Sequence, residues 1–240
     1  MKVTTLNREL KKVTAEQMDM LFEFTRKHYV EYYDVQCELA DHLANAIEER
    51  WETQPNLGFN EALHFEFKKF GIFGFTGIVE KRQLALGKKY KKLMWQYLKE
   101  FIRIPQILIT IVLLLMVYKA ISFSQIVYYI LSLSTFLLSF IVLIIRVVKY
   151  RKKVKQIGKK WLFEETIAHC GGMAGMTYIP FHFSTIFDLD SPSTSIIKIV
   201  IMTIVVVLFM LIQYVVLFVI PRRAEEHLLK TYPEYNFEIS

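Results

Sequence analysis

The chain has 240 residues, 53% of them hydrophobic and 22% charged, with a formal charge of +7. High hydrophobicity beside a near-normal charge content means that the two are segregated along the chain, which excludes a disordered protein and argues against a simple soluble domain. Two cysteines, Cys37 and Cys170, are too few for a secreted disulfide scaffold, and six prolines and nine glycines exclude a collagen-like chain.

The first ten residues, MKVTTLNREL, have no apolar core, so no cleavable signal peptide is expected. Thr14-Ala-Glu-Gln17 reads as a capping box that opens a helix through about Tyr29. Leu39, Leu43, Ile47 and Trp51 recur every fourth residue, one face of an amphipathic helix with acidic residues opposite. Gln54-Pro55-Asn56-Leu57-Gly58 breaks it. Ala62, Leu63, Phe65 and Phe70 belong to the next helix, with Gly71 as its C-cap. A further helix, from about Thr76, is expected to run through a basic stretch into the first membrane span. Charge changes sign on the way. Thirteen acidic residues face five basic ones between Glu9 and Glu66, whereas nine basic residues face only Glu80 and Glu100 between Lys68 and Glu100.

The run Glu38-Leu39-Ala-Asp41-His42-Leu43, then Ala46-Ile47-Glu48-Glu49, then Gly58-Phe-Asn-Glu61-Ala62-Leu63 and Phe70-Gly71 resembles the HAAS (DUF1700-like) domain over about Glu38–Arg82. The resemblance implies an N-terminal helical domain followed by membrane helices. It also implies a signalling role beside a PadR-like transcriptional regulator, and it carries over no catalytic residue. The phenylalanine-rich stretch Phe65–Phe75 departs from the family, where smaller aliphatic residues are usual, and points to a different docking surface.

Crossing about 30 Å of hydrocarbon takes about 20 apolar helical residues. Four stretches answer that description, at about 104–121, 122–145, 166–187 and 199–220. The first has Pro105 in its opening turn, the second and fourth carry no charge, and Pro221 marks the end of the fourth. The third, TIAHCGGMAGMTYIPFHFSTIF, holds His169, His182, Pro180 and three glycines but no acidic or permanently charged residue. Lysine and arginine crowd the segments before the first, between the second and third, and after the fourth, and are sparse in the other two loops. That alternation puts both termini in the cytoplasm of a multi-pass inner-membrane protein. Residues 1–100 then form a cytoplasmic domain with a basic juxtamembrane helix, 101–220 the spans, and 221–240 a cytoplasmic tail. The fold class read from the sequence is all-α, a cytoplasmic helical N-terminal domain followed by a four-helix transmembrane bundle.

Basic residues beside apolar runs fit anionic lipid headgroups better than nucleic acid, and no direct nucleic-acid contact is expected. Lys88, Lys89, Lys91, Lys92, Arg151, Lys152, Lys153 and Lys155 are the headgroup candidates. Glu165, His169 and His182 form a candidate intramembrane polar site. On an unbroken helix the two histidines would stand roughly 20 Å apart, too far for one metal, so no metal, cofactor or catalytic residue is assigned. Gly171 and Gly175 form a G-x-x-x-G pair, which with Gly172 makes a close-packing surface that would centre the third span in the bundle. The large residues of the fourth suit a lipid-facing or knob-donating role. The reading that follows is a regulatory or interaction protein whose N-terminal domain meets a cytoplasmic partner, with a homo-oligomer compatible. Alternatives are a small transporter or channel subunit, with Ser132, Ser134, Thr135, Ser139, His169 and Gln213 as its polar groups, and a membrane enzyme using Glu165 and His169.

Overall fold

The structure, a computed structural model, describes residues 11–170, 195–232 and 235. Every regular element among the described residues is helical. In chain order these are α1 (Ala15–Lys27), α2 (Tyr33–Thr53), α3 (Phe59–Lys68), α4 (Thr76–Glu100), α5 (Gln106–Phe123), α6 (Gln125–Ile157), α7 (Leu162–Ala168), α8 (Ile196–Tyr214) and α9 (Ala224–Thr231). The chain divides into two compact units. The first runs to Leu84 and takes in Lys159–Leu162; the second comprises Ala85–Gly158 and the chain from Phe163 onward.

In the first unit the capping box is present: the Thr14 hydroxyl accepts from the Gln17 backbone N–H and the Gln17 side chain accepts from the Thr14 N–H. This satisfies two of the donors a helix start leaves open. The predicted face of α2 is the core of the unit, with Leu39, Leu43, Ile47 and Trp51 all buried. Each such side chain stabilises the fold by about 1.5–3 kcal/mol through the water it leaves behind. The Trp51 indole N–H donates to the Leu57 carbonyl at 3.0 Å, so the ring also fixes the turn into α3. A segment from far along the chain completes the unit. The Lys160 carbonyl accepts from the Tyr33 N–H at 2.7 Å, Asp34 accepts from the Leu162 N–H at 3.1 Å, and the Trp161 ring meets the Tyr33 ring edge-on. Nothing in the composition of Lys159–Leu162 announces this return.

In the second unit, α5, α6 and α8 pack around Val117, Ile121, Tyr128, Met202, Val206 and Val207. Among the described residues three helices are long and apolar enough to cross a membrane: Gln106–Phe123, Ile126–Ile157 and Ile196–Arg222. The last is α8 continued by a π-helical turn, Val215–Val219, and a closing turn, Ile220–Arg222.

Three expectations change. The helix from Thr76 does not run into the first span: α4 ends at Glu100 and α5 starts at Gln106. Pro105 has no N–H to continue the ladder and disfavours helical geometry at Ile104. The helix that holds the second apolar run does not stop at Ile145. It carries the cationic stretch on to Ile157, because lysine and arginine are good helix formers, and stops where Gly158 takes φ +74. The third predicted span does not begin as one helix, since α7 ends at Ala168 and Cys170 has φ +57; residues 171–187 lie outside the described residues. Of the two roles expected for the last span, the knob-donating one fits its burial. Half of its apolar window is buried, against 11% for each of the other two. Its inward stripe is Met202, Val206, Phe209, Gln213, Val216 and Ile220, in steps of three and four.

Candidate functional site

The uncharged run of α6 ends at Ile145, and part of the charged stretch that follows shares one face. Arg146, Lys149 and Lys153 recur at helical spacing, with Gln156 one step further. They line a cleft of about 750 Å³ in the second unit, together with Lys152, Glu164 of α7 and Arg222 after α8. Its apolar wall is Ile167, Ala168, Leu217, Phe218 and Pro221.

Arg146 is placed by a backbone rule. Pro221 has no N–H, so in α-helical register the Leu217 carbonyl loses its donor, and in π register the Val216 carbonyl does. The Ile220 N–H goes to Val215, five residues back. The Arg146 guanidinium fills the gap by donating to the carbonyls of both Leu217 and Val216. Lys153 is held on the opposite side. Its ammonium lies 2.5 Å from a Glu164 carboxylate oxygen and 2.6 Å from the Tyr235 hydroxyl. Lys149, Lys152 and Arg222 have no ion pair among the described residues, so five cations face one carboxylate across the cleft.

Of the residues singled out from sequence, Glu165 lies on α7 and His169 directly after it, both half-buried. His169 Nδ1 lies 3.0 Å from the Glu165 backbone carbonyl, to which it donates, and its ring stands edge-on to Tyr150. Among the described residues no three histidine, cysteine or acidic side chains converge as a metal site. His182, Gly171, Gly172 and Gly175 lie outside the described residues. Ser139, Cys170 and Gln213 border a cavity of about 20 Å³, room for about one water. Among the headgroup candidates Lys88, Lys91, Lys92, Arg151, Lys152 and Lys155 are exposed. Lys89 donates to the Thr231 hydroxyl at 2.7 Å, and Lys153 is tied as described.

A second polar cluster was hidden in the sequence. His227 of α9 is buried, its Nε2 lies 3.0 Å from the Tyr97 hydroxyl, and Arg223 sits over the Tyr97 ring. Burial pushes the His227 imidazole below its ordinary pKa, and the nearby Glu226 carboxylate opposes that shift. The sequence signal that could have revealed it is the stripe Leu86, Tyr90, Met94, Tyr97 and Leu98, which is buried and lies within the lysine-rich stretch of α4.

The aromatic stretch of the first unit splits in two. Phe67, Phe70 and Phe75 pack with Phe24, their ring centroids 5.0 Å apart at the closest pairs. Phe65 turns outward beneath the Arg50 guanidinium, and Ile72 and Phe73 stand 100% and 81% exposed.

The chain matches no protein-family model, no curated protein and no solved structure with which it was compared.

Proposed function

We propose that this chain is an inner-membrane protein of regulatory or interaction type, with a HAAS-like N-terminal unit that binds a cytoplasmic partner. The observation that carries the reading is the pair Ile72 and Phe73. They are presented to solvent on the turn before α4, while the neighbouring phenylalanines close a packed cluster. An apolar tip of this kind costs solubility and gains its use from a partner. A PadR-like regulator is the partner class that the family resemblance favours. A photo-crosslinking residue at Ile72 or Phe73 of the full chain, in native membranes, is expected to trap a cytoplasmic protein. The same probe at exposed Glu49 serves as the control. Equal yields at all three positions would remove the reading.

The topology belongs to the same proposal: four spans, with both termini in the cytoplasm. Loop charge supports it, and so does parity, because the cationic end of α6 and Arg222–Arg223 reach the same side only if residues 166–187 cross. Single cysteines at Ser124, Lys155, Ser193 and Ser240, in a chain lacking Cys37 and Cys170, are to be probed on intact cells with an impermeant thiol reagent. Ser124 and Ser193 are expected to label and the other two to stay protected. The reverse pattern would overturn the topology.

A further inference from the structure

We propose that the cleft bounded by α6, α7 and the end of α8 is a binding site for the phosphate headgroup of an anionic membrane lipid. The inference rests on the reading that the apolar helices cross a bilayer, and goes beyond it by naming one site and its ligand.

Three observations combine. The first is charge. Arg146, Lys149, Lys152, Lys153 and Arg222 border one cleft with Glu164 as the only carboxylate among its described lining residues. Such a concentration of like charge costs energy unless an anion shares the space. Lys149, Lys152 and Arg222, having no ion pair among the described residues, are the donors left to meet a phosphate, and Arg146 keeps N–H groups beyond the two it gives to backbone.

The second is the two-sided lining. Leu217, Phe218 and Ile167 form an apolar wall beside the cations. A free phosphate ester would gain nothing from that wall, whereas the glycerol and first methylenes of a lipid would rest on it. The third is position. Arg146 is the first charged residue after the uncharged run of α6, and Arg222 follows Pro221 at the end of the α8 run. Both therefore stand where apolar helix gives way to charge, the depth at which a headgroup phosphate lies. The cleft is large enough for a headgroup, and the 20 Å³ cavity beside Ser139 is not.

The site also explains why Lys153 is held by Glu164 and Tyr235. That pairing fixes the far wall and leaves the remaining cations for the ligand.

The test uses the full chain purified in a neutral detergent, with native mass spectrometry reading bound phosphatidylglycerol against phosphatidylcholine. Wild type is expected to retain phosphatidylglycerol selectively. Lys149→Gln combined with Arg222→Gln is expected to weaken retention roughly tenfold or more, from the loss of two cations near the phosphate. Lys12→Gln with Lys68→Gln, two exposed lysines of the first unit, removes the same charge elsewhere and is expected to leave it unchanged. Lys149→Arg should retain binding, and circular dichroism of each variant checks that the helices persist. Equal retention of the two lipids by wild type, or equal loss in both double variants, would overturn the site. Displacement of phosphatidylglycerol by millimolar glycerol phosphate would overturn the lipid as its source. A chain that stays soluble and monodisperse without detergent would instead overturn the membrane reading, so the two failures are distinguishable.

Discussion

Glu66 shows how a single side chain decides a local balance. It is buried, with Arg50 at 2.7 Å from one carboxylate oxygen and Lys69 at 2.6 Å from the other. Burial alone would raise its pKa, but the hydrogen bonds from Lys69 and Arg50 outweigh it and hold the carboxyl below its ordinary range. A depressed carboxylate contributes stability that is complete above the unfolded pKa, near 4.3, and lost as pH falls through the folded value. Glu66→Gln is therefore expected to lower the melting temperature at pH 7, and by progressively less as the pH falls through the folded value. Arg50→Ala leaves the buried charge with one exposed partner and is expected to cost about 2 kcal/mol at pH 7, read by thermal melts in detergent. His227 carries the opposite charge logic. Its imidazole is held neutral beside Tyr97, with Lys89, Arg223, Lys230 and Glu226 around it. The fold should be at full strength above about pH 6.5 and weaken as pH falls through the lower folded value. His227→Gln is expected to flatten that part of the pH–stability profile.

At the scale of the element, Gly158 ends α6 in a left-handed conformation with open space where a Cβ would stand. Gly158→Ala is thus expected to cost about 1 kcal/mol through backbone strain alone, measured by denaturation. Arg146 and Pro221 make a stricter test, because the arginine serves carbonyls that the proline leaves open. Arg146→Met is expected to destabilise by about 1.5–3 kcal/mol, and by clearly less when Pro221→Ala has restored an N–H. Additive effects of the two changes would contradict the account. The sequence made the first three helices legible because each buries one stripe and exposes the rest: Leu39, Leu43, Ile47 and Trp51 announce α2 by spacing alone. It could not say which spanning helix is most buried. α8 is apolar on every side, so its inward stripe has no polar side to contrast with. The cleft was half legible. Lys152 and Lys153 stood out as charges beside an apolar run, but the Arg146–Lys149–Lys153 face became visible only once the helix was seen to continue to Ile157.

For the molecule as a whole, the return of Lys159–Leu162 to the first unit has a consequence for how the protein is made. A ribosome delivers α1 to α3 long before it reaches Trp161. Until then the Tyr33 N–H, the Asp34 carboxylate and one side of the Tyr33 ring lack the groups that later cover them. The nascent N-terminal unit must therefore wait, with an open slot, while two long apolar helices are being made. A fragment cut after residue 100 would keep that slot permanently. It should be more prone to proteolysis around Val30–Asp34 than the full chain, and adding a synthetic peptide covering residues 157–164 should slow the cleavage.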